Sequence, residues 1–226
     1  MGLGKTMQVL ALCQILRALK KKQTGDPQIV LKVLLLTNKS IVPHWENQCE
    51  KWGSPLPISQ GKTERKFEKF KNGGFLVLTW EAFSLNYAQF ASFFNKLDLV
   101  ILDEGHKATN REKYGYQYLC KLKPSIGKIF LTGTPLQNSV KELFSILKFL
   151  FGETETNETY FDEAFAKPIS KGSDSEKLKA SLLLGKVFEE YMLRKSITMA
   201  GINLGPLNNY IIVRPIPKHA WMSEHR

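Results

Sequence analysis

No stretch of this chain approaches the roughly eighteen consecutive apolar residues of a membrane-spanning helix, so no span is expected. Cysteine is scarce. Cys13, Cys49 and Cys120 are scattered, odd in number and without metal-ligand spacing, which argues against a disulfide framework and leaves reduced, partly buried thiols. No charged-then-apolar leader opens the sequence, so secretion is not expected. There is no internal repeat and no low-complexity tract. Acidic residues are in deficit: 21 Asp+Glu stand against 32 Lys+Arg, a net charge of +11. That balance suits a polyanionic partner, and it also suits a lysine-rich surface facing water. The 226 residues, 43% of them hydrophobic, are enough for one large core.

The basic residues fall in two runs. Lys20-Lys21-Lys22 reads as a helix end, where cations complement the dipole. Lys62, Arg65, Lys66, Lys69 and Lys71 lie on a short helix pattern, whose positive face suits phosphates or water. Along the chain, helix and strand signals alternate. Apolar runs predict strands at residues 32–37, 75–79, 98–102 and 128–132, with a shorter one at 55–59. Helix patterns cover 43–52, 63–71, 87–94, 114–122 and 139–151. A short helix at 160–166 before Pro168, a polar loop at 172–175, a helix at 176–193 and a strand-like piece at 209–214 follow. Apolar strands alternating with helices predict an α/β fold with a mostly parallel sheet covered on both faces. The last dozen residues, with Pro215 and Pro217, read as a linker.

Two motifs carry chemistry. Gly2-Leu3-Gly4-Lys5-Thr6 is the back half of a phosphate-binding loop. Alone, such a string also suits a turn between two elements. Here an apolar helix pattern follows, from Met7 through Leu19, so Gly2 and Gly4 place amide donors at the positive end of a helix. Lys5 would reach the β- and γ-phosphates, and the Thr6 hydroxyl would ligate Mg²⁺. The full pattern also calls for a further glycine five positions before Gly4 and a strand before that, which this sequence does not contain. The second motif is Asp103-Glu104-Gly105-His106, which ends an apolar strand pattern. In open parallel sheets ligands bind beyond the carboxyl ends of strands. Asp103 would hold Mg²⁺ through its waters, and Glu104 would orient and deprotonate the attacking water. An acidic pair can also serve as a helix cap, and a lone histidine is usually structural. The position of His106 two residues on points to the γ-phosphate environment.

Met1–Gln8 (MGLGKTMQ), Ser40–Trp45 (SIVPHW), Thr79–Glu81 (TWE), Leu102–Asn110 (LDEGHKATN) and Leu131–Asn138 (LTGTPLQN) follow in order over nearly the whole chain, the last trailed by Lys141-Glu142-Leu143-Phe144. On these residues the chain resembles the first RecA-like lobe of a SWI/SNF-type ATPase of helicase superfamily two. The tract FAKPI at 165–169, with Gly172 and YMLRK at 191–195, is similar to the branch that includes the Cockayne syndrome group B protein.

The resemblance implies a RecA-like P-loop NTPase lobe with a C-terminal helical extension. Its boundaries would be 1–152 for the lobe, 153–205 for the extension and 206–226 for a linker toward a second lobe. It implies ATP and Mg²⁺ as ligands, and ATP-driven translocation on double-stranded DNA in the nucleus, to remodel nucleosomes or displace bound proteins. Ser40 and residues around Thr79 would touch the DNA backbone. Thr132-Gly133-Thr134 and Gln137 would couple nucleotide state to that surface, Gln137 joining Gly2, Gly4, Lys5, Thr6 and His106 around the nucleotide. Lys5, Asp103 and Glu104 would be the catalytic set, with Thr6 and Asp103 on the metal. The chain departs from the family pattern at Asn38, where proline is usual, at Lys195, where a second arginine is common, and at Gly205-Pro206-Leu207, which lacks a lysine. An adenine-binding segment, a first strand and a second lobe bearing further arginines are expected of the complete molecule, so this chain alone is expected to be inactive. A non-hydrolysing basic module that binds DNA or protein is the other reading, and a kinase-like phosphotransferase a third.

Overall fold

The computed structural model describes residues 4–52, 63–89, 91–105, 114–133, 140–153 and 156–193. The chain divides into two units, Met1–Leu193 and Arg194–Arg226, and the second lies wholly outside the described residues. The strands expected at 55–59 and 209–214, the terminal linker and the break at 205/206 lie outside them too. No described helix is long and apolar enough to cross a membrane.

Helix α1 (Lys5–Thr24) opens the described chain, and β1 (Lys32–Thr37) follows. A single 3₁₀ turn, Lys39–Ile41, leads into α2 (Val42–Lys51). Then come α3 (Thr63–Phe70), β2 (Gly74–Thr79), α4 (Trp80–Asn86), α5 (Ala91–Phe94), β3 (Leu99–Asp103), α6 (Tyr114–Lys121), β4 (Gly127–Leu131) and α7 (Val140–Phe151). The strands form one sheet in the order β2-β1-β3-β4, parallel throughout, as their continuous apolar runs implied.

Strand side chains alternate between faces. Leu34, Leu36, Leu76, Leu78, Val100 and Leu102 pack under α3 to α7, against Phe67, Phe70, Phe83, Phe94, Leu119 and Phe149. Val33, Leu35, Phe75, Val77, Leu99 and Ile101 pack on the other face against Val9, Leu10 and Cys13 of α1 and Trp45 and Cys49 of α2. Arg65 and Lys69 of α3 are exposed while Phe67 and Phe70 are buried, so those two members of the basic run face water. The three cysteines are buried and none is in a disulfide. Burial, with Cys49 nearby, pushes the Cys13 thiol up to about 12.

Two local differences from the sequence reading have simple causes. Of the helix expected at 87–94 only the short α5 at 91–94 forms, and a helix not expected, α4, precedes it from Trp80, because the Thr79 hydroxyl accepts from Ala82 N at 3.2 Å and caps it directly at the strand end. The helix expected to stop before Pro168 instead continues. Between α8 (Glu158–Phe161) and α9 (Lys167–Lys171) the chain takes a π turn at Asp162–Ala166, and Pro168 falls in the first turn of α9, where its missing N–H costs little. Helix α10 (Asp174–Tyr191) starts at a capping box: Glu176 N donates to the Ser173 hydroxyl, and Ser173 N to the Glu176 carboxylate at 2.8 Å. Phe144 of α7 joins Phe161, Ala166, Leu184 and Phe188 in one apolar cluster, which seats these helices on α7.

Asp98 clamps the opposite end of the sheet from the strands' carboxyl ends. Its carboxylate accepts from the Lys20 ammonium of α1, from Lys32 N at 2.9 Å and from the Ser125 hydroxyl at 2.7 Å. Its own N–H donates to Lys32 O at 2.8 Å, and its carbonyl accepts from Ile126 N at 2.9 Å. Burial pushes this carboxyl up, but the hydrogen bonds from Lys20, Lys32 and Ser125 and the Lys20 charge outweigh it and hold it below the usual range. Lys128 does a related task in β4. Its ammonium donates to Phe149 O at 2.8 Å and Cys120 O at 3.0 Å, joining the C-terminal ends of α6 and α7. Burial pushes it down to about 8.

Replacing Asp98 with Asn should lower the unfolding free energy at pH 7 by about 2 kcal/mol, as urea denaturation would show. Because the folded-state carboxyl is lowered, its contribution is full above about pH 4, the unfolded value, and is lost as pH falls through the folded one. The gap between parent and variant should therefore close in acid.

Candidate active site

The register aligns the chemistry. Leu36 lies opposite Leu102, so the next residues, Thr37 and Asp103, come level, and Asp103 pairs with Leu131 of β4. Each stands at the carboxyl end of its strand, where the chain leaves the sheet.

The N-terminus of α1 meets this edge. Gly4 caps the helix in the left-handed conformation, φ 76°, without a side-chain cap, and the first turn holds no acidic residue. No side chain of the described residues caps its first-turn amides, and such amides with the positive dipole end suit an anion. Lys5 Nζ lies 3.3 Å from Glu104 Oε1, a part-buried pair across 99 residues. A methyl group on Gly133, just past β4, would sit 3.7 Å from the same ammonium, so the backbone after β4 approaches Lys5 closely. Thr6 follows in the first turn, half-buried.

Glu104 is the non-glycine residue with positive φ (50°) among the described residues. A left-handed conformation costs an L-residue on the order of 1–2 kcal/mol. The turn directs its carboxylate back over the sheet edge to Lys5. Asp103, 6% exposed, faces inward. Its Oδ2 accepts from Trp45 Nε1 at 2.7 Å and from Thr37 Oγ1 at 3.3 Å. These two donors make burial of the carboxylate tolerable.

Of the residues picked out from the sequence, Lys5 and Glu104 are in contact, Asp103 adjoins them in the chain, and Gly4 and Thr6 flank Lys5. Gly2, His106, Thr134 and Gln137 lie outside the described residues. Ser40 is exposed in the 3₁₀ turn after β1, and Thr79 spends its hydroxyl as the cap of α4. Trp45 and Thr37 went unnoticed as site residues. In the sequence Trp45 belongs to the 43–52 helix pattern and ends the SIVPHW motif; the available signal for its contact was that a buried indole N–H needs an acceptor. Thr6 and Asp103 would offer Mg²⁺ hard oxygen donors, which is the right chemistry for that ion. Among the described residues no group of three or more His, Cys, Asp or Glu could hold a metal.

The chain is 32% identical over 200 residues to the DNA repair and recombination protein RAD54-like of Homo sapiens, covering 82% of this chain and 26% of the relative. It is 33% identical over 214 residues to the probable ATP-dependent DNA helicase CHR23 of Arabidopsis thaliana, covering 86% and 19%. The DNA excision repair protein ERCC-6-like of Danio rerio is 27% identical over 219 residues, covering 87% and 14%. The chain thus spans about a quarter or less of the length of these curated relatives. Among solved structures, the SWI2/SNF2 ATPase core of Sulfolobus solfataricus, in complex with dsDNA, superposes with a TM-score of 0.67 at 23% identity, over 89% of this chain and 40% of that one. The Hef helicase domain of Pyrococcus furiosus gives 0.50 at 16% identity, over 89% and 51%. These two share the fold, a parallel sheet between helices. Residues 1–222 match the family described as SNF2-related domain. The match takes in the α1 N-terminus, the acidic strand end and the sheet between them, and the chain belongs to the SNF2-related domain family.

Proposed function

We propose that this chain is the nucleotide-binding lobe of a DNA-dependent ATPase that moves along double-stranded DNA, with turnover belonging to a longer molecule. The observation that carries this reading is the meeting of Lys5, at an uncapped helix N-terminus, with Glu104 at the end of β3. Residues 1–152 would form the lobe, 153–205 its helical extension and 206–226 the link to a second lobe. The nucleus would be its place of work, with nucleosomes or other DNA-bound proteins as obstacles.

The residues would act as follows. Amides at the start of α1 and the Lys5 ammonium bind the β- and γ-phosphates of ATP. Mg²⁺, held by Thr6 and through water by Asp103, would supply positive charge against the phosphate oxygens. Lys5 is paired with Glu104 in this structure. When Lys5 turns to a phosphate, Glu104 is released from its cation and can accept a proton from water. His106 and Gln137 would complete the nucleotide contacts. Phosphoryl transfer also needs added positive charge near the γ-phosphate, and an arginine in that role is worth about 10³–10⁵ in rate. A second lobe would supply it. Duplex DNA would run over the ends of β1 and β2, past Ser40 and the Thr79 turn. The charge of +11 and the dsDNA bound by the archaeal relative support that partner.

Three measurements test the reading. By calorimetry, Lys5→Ala should abolish Mg²⁺–ATP binding by this chain, while Glu104→Gln should leave the affinity within about threefold. Joined to a second lobe, Glu104→Gln should lower DNA-stimulated phosphate release by about 10²–10⁴, because an amide cannot accept the proton. Hydrolysis at the parent rate would remove Glu104 from the mechanism. In a salt titration, binding to duplex DNA should be independent of sequence, and log K should fall with log salt by about 0.9 per phosphate contacted. DNA binding with that slope but no Lys5-dependent nucleotide heat would make the chain a basic binding module instead.

A further inference from the structure

We propose that Trp45 is a positioning residue for Asp103: its indole N–H, seconded by the Thr37 hydroxyl, holds Oδ2 in the protein and leaves Oδ1 for the metal's water. This rests on the reading of Asp103 as the carboxylate that serves Mg²⁺.

The geometry distinguishes this pairing from ordinary core packing. Trp45 is fully buried, and it shares one apolar cluster with Val33, Leu35 and Cys49. Packing alone would account for the ring and not for where its one polar atom ends. A buried indole N–H needs some acceptor, and a neutral carbonyl would do. Here the acceptor is a carboxylate 58 residues away, at the strand end that carries Glu104. Thr37, also fully buried, donates to the same oxygen. Among the described residues Oδ1 accepts no hydrogen bond. With two donors on one oxygen, rotation of the carboxylate breaks both bonds, so the direction of Oδ1 is set by the protein and not by solvent. A charge-assisted bond of 2.7 Å from a rigid indole is the stronger restraint, and the 3.3 Å hydroxyl contact the weaker. Position matters as well. Trp45 lies in the first turn of α2, just after the exposed Lys39–Ile41 turn, and Pro43 stiffens the start of that helix. The donor is thus held by an element separate from β3, which fixes the carboxylate against the sheet and not merely along its own strand.

The test uses the whole 226-residue chain with Trp45→Phe, which keeps a large ring and deletes the N–H, and the nucleotide probe mant-ATP with and without Mg²⁺. The variant should lose about tenfold of the affinity gained on adding Mg²⁺, with metal-free affinity unchanged. On an Asp103→Asn background the same change should do nothing further. Equal losses with and without metal, or an undiminished loss on the Asp103→Asn background, would overturn the proposal in favour of a purely structural tryptophan. If Asp103→Asn itself leaves the Mg²⁺ gain intact, the assignment of Asp103 to the metal fails, and this proposal with it. A gain that falls in Asp103→Asn and stays whole in Trp45→Phe overturns the proposal alone. A second measurement needs no nucleotide. In ¹⁵N-tryptophan-labelled chain, the Trp45 indole resonance, assigned by its loss in Trp45→Phe, should shift in Asp103→Asn and be broadened by Mn²⁺ in the parent only. An indole signal indifferent to Asp103→Asn would rule the proposal out.

Discussion

The register of β1 against β3 is the constraint on which everything else rests. Leu36 opposite Leu102 brings Thr37 beside Asp103 and sends alternate side chains of both strands into two separate cores. A slip of one residue would exchange the faces and turn the site carboxylate away from its donors. The apolar pattern cannot forbid such a slip in a strand buried on both sides, since both faces are apolar. Polar anchors do so instead. At one end Asp98 bonds Lys32 through both its backbone and its carboxylate, and at the other Asp103 bonds Thr37 and Trp45. Two acids five residues apart, one just before β3 and one at its end, therefore fix the sheet at both of its ends.

The site combines electrostatic readiness with strain. Helix α1 presents an uncapped positive end, while Lys5 and Glu104 neutralise each other across it. The left-handed Glu104 raises the energy of the turn and is retained by its surroundings, as is common where a side chain must be aimed. Gly133 lets the backbone after β4 come close to the same lysine. A change at any one of these three segments is felt by the other two through a single ammonium.

Much of this was legible in the sequence. Continuous apolar runs located the strands within a residue or so, because buried parallel strands have no polar face to confuse the signal. Lys5, Asp103 and Glu104 stand out in the sequence as residue types that suit phosphate at a helix start and a strand end, and the structure brings Lys5 and Glu104 into contact. What stayed hidden depended on contacts between distant segments. Asp98 read as the first residue of a strand, and nothing local reveals that Lys20 and Ser125 reach it. Trp45 looks like core because its ring is core; only its nitrogen reaches Asp103. The helix start at Trp80 was missed because a cap acts through one hydroxyl, which periodicity does not register.

The Asp98 clamp also bears on how the chain matures. Its partners lie 78, 66 and 27 residues away in sequence. During synthesis, Lys20 and the start of β1 leave the ribosome long before the carboxylate they bind, and Ser125 comes later still. Until then β1, even once β2 has joined its other side, keeps the edge meant for β3 unpaired, the kind of edge that associates with other chains. Sheet closure is thus a late, long-range event, of the sort that folds slowly. The same carboxylate that secures the finished sheet leaves one edge of the nascent one open until it emerges.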